Sequence, residues 1–183
     1  MGDYYCYEGS QKNTNTSEIG YAVVEFTYTS NNVMRNCTVS EARNRTGNYI
    51  HGVYIANNSC GNRIYKNKFY HIKPDPIRIR NGSNDNKIHA NNFINTGVYA
   101  YVSDWYNGSV GEKKSYGNLV YKNKFYGKYN DSKKEFLSLD QIAIFYSKQS
   151  KKDKADTSRL KATQNVVIKS KNDKNYNKNV FIY

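Results

Sequence analysis

GVYIANNSCGNRIYKNKF (Gly52–Phe69) and PIRIRNGSNDNKIHANNF (Pro76–Phe93) superimpose at an offset of 24 residues. Val53 maps to Ile77, Ile55 to Ile79, Asn62 to Asn86, Ile64 to Ile88, Asn67 to Asn91 and Phe69 to Phe93. Each unit reads as a short alternating strand, an Asn/Gly/Ser turn, a second short strand and another Asn. Repeats of this length built from strands and turns mark stacked-coil architectures. Each unit is therefore predicted to be one coil of a parallel β-helix, with a long sheet face able to lie along an extended ligand.

The pattern extends both ways. GNLVYKNKF (Gly117–Phe125) repeats GNRIYKNKF (Gly61–Phe69) almost letter for letter. The offset from Asn86 to Asn118 is 32, and the surplus falls in DWYNGSVGEKKS, read as a loop inserted at 104–115. Upstream, YAVVEF (Tyr21–Phe26) and NNVMRNCTV (Asn31–Val39) fit the unit. Downstream, QIAIFY (Gln141–Tyr146), QNVVIK (Gln164–Lys169) and NKNVFIY (Asn177–Tyr183) read as further rungs with longer loops. The expectation is one all-β domain over 1–183, a single-stranded parallel β-helix of five to six coils. It has an irregular tail at 1–17 and a Lys-rich loop at 147–163. Solenoid ends need covers and no capping helix precedes the first coil, so an N-terminal truncation is expected.

Side chains alternate along a strand, so in IRIR the two Ile point inward and Arg78 and Arg80 outward. Ile64, Ile88 and Val120 should stack in the core, as should Phe69, Phe93 and Phe125. Asn67, Asn91 and Asn123 should form a ladder at a bend, because Asn tolerates left-handed backbone and bonds nearby backbone groups. Tyr54, Tyr65 and Tyr121 read as outward stacks covering the sheets, and His71 and His89 as outward histidines.

Hydrophobic residues make up 38% of the chain, thin for a globule but adequate for a narrow solenoid core. No apolar run is long enough for a membrane span, and MGDYYCYEGS is too polar for a signal peptide. Cys6, Cys37 and Cys60 lack metal-site spacing. Cys37, near the Asn column, reads as a buried thiol, and disulfide pairing does not follow from the sequence. Sequons such as those at Asn36, Asn81 and Asn107 arise by chance in so Asn-rich a chain. The net charge of +13 favours a polyanionic partner, although runs such as KQSKKDKADTSRLK are ordinarily solvated loops. Helix-turn-helix, zinc-finger and RNP signatures are lacking, as are a phosphate loop and a Ser/His/Asp signature, so no specific nucleic-acid partner is expected.

The units V-x-I-x(5–6)-N-x-I-x-x-N-x-F resemble the repeats of the pectin-lyase-like superfamily, over Gly20–Phe125 and more weakly beyond. That resemblance implies a right-handed β-helix, a sugar-binding groove on one outer sheet, and an extracellular or cell-surface location. More locally, PIRIRNGSNDNKIHANNF is similar to a coil of the chondroitinase B and alginate lyase family. The family's Arg, which acts near the leaving oxygen, falls on Arg80, and Asn81 stands where the family has His. The family's Lys base on the preceding coil falls on Ala56, and its acidic calcium ligands are not identifiable, so calcium is left without a ligand set and no other cofactor is implied.

Uronate β-elimination needs a base, a cation for the carboxylate and an acid for the leaving oxygen. Arg78 and Arg80 share an outer face and can clamp a carboxylate. Tyr101 to Asp104 fall one coil on, with Asp104 either joining the site or pairing with Arg80. Tyr101 and His51 are the candidate proton carriers, and His51 and Asp75, 24 apart, face each other across adjacent coils. Tyr54 and Trp105 supply rings for sugar faces, and the alternative for Trp105 is packing over the coil. The expected catalytic residues are thus Arg80, Tyr101 and His51, and the expected substrate-binding residues Arg78, Tyr54, Asp104 and Trp105. The leading expectation is binding of an anionic, uronate-containing polysaccharide, with processing as a lyase or epimerase if the chain is an enzyme. The alternatives are a non-catalytic adhesin or spike segment, and a truncated inactive remnant.

Overall fold

The computed structural model describes residues 21–43, 50–97, 100–129, 143–146, 158–168, 176–177 and 181–182. Cys6, the expected tail at 1–17 and residues 147–157 of the expected Lys-rich loop lie outside them.

The chain is all-β, with strands falling in repeating triplets. Ala22–Thr27 (β1), Val33–Arg35 (β2) and Thr38–Ser40 (β3) make the first turn of chain. His51–Ala56 (β4), Arg63–Tyr65 (β5) and Lys68–Tyr70 (β6) make the second, and Ile77–Arg80 (β7), Lys87–His89 (β8) and Asn92–Ile94 (β9) the third. Val102–Trp105 (β10), Asn118–Tyr121 (β11) and Lys124–Tyr126 (β12) follow, then Ala143–Tyr146 (β13), Leu160–Thr163 (β14) and Val166–Ile168 (β15). Tyr176–Asn177 (β16) and Phe181–Ile182 (β17) close the series. Each turn of chain adds one strand to each of three sheets, ordered β1-β4-β7-β10-β13-β17, β14-β11-β8-β5-β2 and β16-β15-β12-β9-β6-β3. Pairing is parallel except for β15 with β16, an order consistent with a β-solenoid.

The register is the one read from the repeat: Val53 opposite Ile77, Ile55 opposite Ile79, Ile64 opposite Ile88, Phe69 opposite Phe93. The core is a set of columns running through the stack. Met34, Ile64, Ile88 and Val120 form one, and Val39, Phe69, Phe93 and Phe125 another, all buried. The Phe rings stack at 4.9 and 5.0 Å between centroids.

Two asparagine ladders run up the corners, where the sequence predicted one. Asn32, Asn62, Asn86 and Asn118 form the first, and Asn67, Asn91, Asn123 and Asn165 the second. In each, Oδ1 accepts the backbone N–H of the same position one coil earlier, while Nδ2 donates to a backbone carbonyl of that coil. Ser59, Ser83 and Ser115 make a shorter ladder of the same kind. These bonds satisfy the buried corner groups that sheet pairing cannot reach.

The ladder Asn residues are not the left-handed ones. That conformation belongs to the residue just before: Asn36, Lys66, Ala90, Lys122 and Gln164 ahead of the second ladder, at φ between 55° and 57°. Lacking a special side chain, Ala90 pays the full steric penalty of that region, about 1–2 kcal/mol. Ala90→Gly is therefore expected to stabilise the fold by about 1 kcal/mol, after the entropy Gly loses on folding. A urea midpoint that fell, or did not move, would contradict this.

Four further expectations are corrected. Asp104 and Trp105 belong to β10, so the inserted segment begins at Tyr106 and contains a 3-10 turn at Gly108–Val110. Residues 160–163 of the expected Lys-rich loop form β14, because Leu160 enters the core and Ala162 continues the Ile88–Val120 column. His71 is fully buried at a left-handed corner with φ 52°, its Nδ1 2.6 Å from Glu41 Oε2 and its ring stacked on Tyr129 at 4.6 Å. Cys37 is exposed: it occupies the first rung of the second ladder, where its N–H donates to Asn67 Oδ1.

Candidate functional site: an arginine and aromatic cluster on the first sheet

Strand alternation brings part of the expected site together. Tyr54 lies opposite Arg78 and Arg78 opposite Ser103, while Arg80 lies opposite Trp105. Ile77 and Ile79 are fully buried between them, so the arginines take the outer face as predicted.

Each guanidinium is already engaged. Arg78 donates to Asp75 Oδ2 at 2.6 Å and to Ser103 Oγ at 3.1 Å. Arg80 donates from Nε to both oxygens of Glu112 at 2.8 Å and from Nη2 to Oε1 at 2.7 Å. It also donates to the Tyr54 hydroxyl at 3.3 Å, and its guanidinium carbon lies 3.9 Å from the centre of the Trp105 ring. Burial works against the Arg80 charge, and Glu112 and Tyr54 more than offset it. Tyr54 stacks between Tyr21 and His51 at 5.5 and 6.0 Å, and burial pushes its phenol pKa up. The cluster is thus a half-buried Arg–Trp stack with each cation matched by an acid. A guanidinium on an indole face is favourable, and more so when partly desolvated.

His51 and Asp75 do meet, but through the backbone. The Asp75 carbonyl accepts the His51 Nδ1–H at 2.7 Å, which leaves Nε2 with the lone pair, while the Asp75 carboxylate goes to Arg78. Burial, then the charge of Arg78, lowers the His51 pKa from 6.5 to about 4. A depressed histidine contributes stability that is intact above the unfolded value and lost as pH falls through the folded one. Between pH 6.5 and about 4 the unfolded chain takes up a proton that the folded chain refuses. Stability should fall by about 3 kcal/mol over that window. His51→Gln is expected to remove most of that slope in urea unfolding measured at successive pH values; an unchanged slope would place the acid sensitivity elsewhere.

Two expected site residues face the other way. Tyr101 lies in the core, 4.5 Å from the Phe125 ring centre, and its hydroxyl donates to the Gly127 carbonyl at 2.6 Å. Burial raises its pKa well above the ordinary phenol value, so it neither reaches the outer face nor carries protons there. Asp104 lies opposite Ile79, hence inward, and pairs with Arg159 rather than Arg80. The sequence reading placed both residues with Arg80 by carrying the offset of 24 forward; the connection from β9 to β10 is one residue longer than that from β6 to β7, so pairing sets Trp105, not Asp104, opposite Arg80 on the outer face. Ala56 is buried in β4.

Glu112 was missed because it sits in the surplus segment with no counterpart in other coils. Asp75 was paired with His51 alone, although its spacing of three residues from Arg78 was available as a signal. Among the described residues no group of three or more His, Cys, Asp or Glu is arranged to hold a metal ion, and no helix is long and apolar enough to cross a membrane. A cavity of about 830 Å³ lies away from this cluster, beside the first turn of chain, lined by Val24, Phe26, Met34 and Val39. Comparison with known protein families, with curated proteins and with solved structures finds no match.

Proposed function

We propose that the chain binds an anionic, uronate-containing polysaccharide at the extracellular face of a cell or beyond it. In this reading the coils wind as the right-handed parallel β-helix of pectin-lyase-like proteins, and the sugar lies across the outer face of the first sheet. The observation that carries the proposal is the fork of Arg80, which presents a carboxylate-shaped site beside an aromatic ring and already holds the Glu112 carboxylate there. Glu112 comes from the inserted segment and not from a strand. A uronate carboxylate has the same chemistry and can exchange with it, keeping the bidentate geometry that Arg favours. Tyr54 and Trp105 then meet the sugar ring through a hydroxyl and an indole edge.

The arrangement supports binding over processing. The position expected to hold a Lys base is the buried Ala56, Tyr101 and Asp104 point into the core, and His51 is engaged at Nδ1 and nearly buried. A non-catalytic adhesin or spike segment is the second reading, favoured by that same lack of a proton carrier.

Trp105 is the sole Trp of the chain, so its fluorescence reports on this site. Oligogalacturonate is expected to change the emission saturably. Arg80→Ala should weaken binding about tenfold to a hundredfold, the worth of charge-assisted hydrogen bonds. Glu112→Gln should tighten it by removing the competing carboxylate. No emission change with oligogalacturonate, alginate or chondroitin, or binding indifferent to Arg80→Ala, would refute the site. Unsaturated uronate product, followed by its ultraviolet absorbance and lost in Arg80→Ala, would restore a lyase.

A further inference from the structure

The second sheet carries a different kind of surface. Tyr65, His89 and Tyr121 lie opposite one another in β5, β8 and β11, and their rings stack at 4.9 and 4.8 Å with interplanar angles of 8° and 11°. Arg35 occupies the same column one coil earlier, opposite Tyr65. On one side of the ring column, Arg63 lies opposite Lys87, and Lys161 follows in β14. On the other side are the corner residues Lys66 and Lys122. These six cations are exposed, and none makes a salt bridge with another described residue.

The first sheet differs in matching its cations, whereas Lys68 and Lys124 of the third sheet, like those of the second, have no salt bridge among the described residues. On the first sheet Arg78 has Asp75 and Arg80 has Glu112, and the buried Arg159 has Asp104. On the second sheet, Arg63 and Lys87 stand directly opposite each other in neighbouring strands, an arrangement that destabilises a sheet. Burial, and then the like charges of Arg63, Lys87, Lys122 and Lys66, hold the His89 imidazole below the usual range. The acid nearest in sequence is Asp85, in the turn ahead of β8. A solvated face gains nothing from aligning like charges; a face that meets a polyanion does.

The rings identify which polyanion. Their facing sides are occupied by one another, and Arg35 and Thr163 hold the neighbouring positions beyond Tyr65 and Tyr121, so along the column the rings present edges, hydroxyls and the imidazole rim. Bases of a single-stranded nucleic acid need free aromatic faces on which to stack, and this column offers none along its length. A polymer bound by charge and edge hydrogen bonds is suited to it. We propose that the outer face of the second sheet is a separate binding surface for a linear sulfated or carboxylated polysaccharide, which lies lengthwise along the coil stack over the Tyr65–His89–Tyr121 column. It shares a ligand class with the cluster on the first sheet but none of its residues, so the two stand or fall separately.

The test uses the full chain with chondroitin sulfate, and with single-stranded and duplex DNA of matched charge, at two salt concentrations. The triple variant Arg63→Gln/Lys87→Gln/Lys122→Gln changes only exposed side chains, and Lys68→Gln/Lys124→Gln, equally exposed on the third sheet, serves as the charge control. The expected result is a loss of about tenfold or more in chondroitin affinity for the triple variant, little change for Lys68→Gln/Lys124→Gln, and weaker binding of both DNAs. The NMR titration of His89 should shift to higher pH when the polysaccharide is bound. An equal loss in Lys68→Gln/Lys124→Gln would overturn this proposal, and the Trp105 emission response to oligogalacturonate tests the first-sheet site independently. Full retention of chondroitin binding in the triple variant, equal or tighter binding of either DNA, or an unmoved His89 titration would each overturn it.

Discussion

Asn91→Ala is expected to remove about 4 kcal/mol of stability, counting two orphaned backbone groups at about 1–3 kcal/mol each. Asn91 is fully buried in the middle of the second ladder. Its Oδ1 accepts from Asn67 N and Asn67 Nδ2 at 3.0 and 3.1 Å, and its Nδ2 donates to the Ile64 carbonyl and to Asn123 Oδ1 at 2.9 and 3.0 Å. Truncation leaves the Asn67 N–H and the Ile64 carbonyl without these partners inside the stack, where water does not replace them. The Asn67 amide keeps its bond to the Met34 carbonyl, and Asn123 Oδ1 keeps the Asn91 backbone N–H, so the damage is confined to one rung. Asn92, next in sequence but exposed, is the control: Asn92→Ala should change stability by no more than about 0.5 kcal/mol. Urea unfolding of both variants decides the matter. A cost below about 1 kcal/mol for Asn91→Ala would mean that the corner relaxes or hydrates, and that the ladder shapes the bend without holding it.

Most of the fold was legible because the same physics recurs in every coil. A column of Ile or Phe at fixed spacing has no other efficient way to be buried, so the offset of 24 between Val53 and Ile77 translated directly into strand register. The Asn columns were legible as positions, but the conformations within them were not. The sequence places Asn at the bend, whereas the left-handed strain falls one residue earlier, on Lys66, Ala90 and Lys122, whose identities carry no turn signal. The outer face was legible where it followed strand alternation, at Tyr54, Arg78 and Arg80. It failed where the connection from β9 to β10 gains one residue, moving the offset from 24 at Phe69–Phe93 to 25 at Ile79–Asp104, since a period-2 pattern displaced by one residue sends every side chain to the opposite face. That single step separates an outward Asp104 from the observed outward Trp105. The alignment of Arg63 with Lys87 follows from the same offset of 24, but only the structure shows that Asp75 and Glu112 are taken up by Arg78 and Arg80 on the first sheet.

Asp104→Ala is expected to cost about 4 kcal/mol, the usual consequence of stripping one partner from a buried ion pair. Asp104 continues the Ile55–Ile79 column and is fully shielded from solvent. Its Oδ2 accepts a hydrogen bond from Arg159 Nε at 2.9 Å and lies 2.9 Å from Nη2 in the ion pair, and the Arg159 guanidinium also lies 5.0 Å from the centre of the Tyr106 ring. The pair ties β10 to the residue that leads into β14, so it closes one turn of chain onto the next at the level of the inserted segment. Two desolvated charges gain little over apolar groups of similar volume, whereas one alone is strongly destabilising. The double variant Asp104→Ile/Arg159→Met should therefore recover to within about 1 kcal/mol of the native chain. If the double variant is as unstable as the single, the pair contributes net stability and the column does not accept an aliphatic. A single variant that costs under about 1 kcal/mol would mean that Arg159 swings out to water. The functional consequence runs through the next residue. Asp104 fixes the end of β10, β10 sets Trp105 against Arg80, and Trp105 emission in the double variant separates the two roles. Native emission with native ligand response would make the ion pair purely structural; native stability with a lost response would make it the anchor that positions the ring for the sugar.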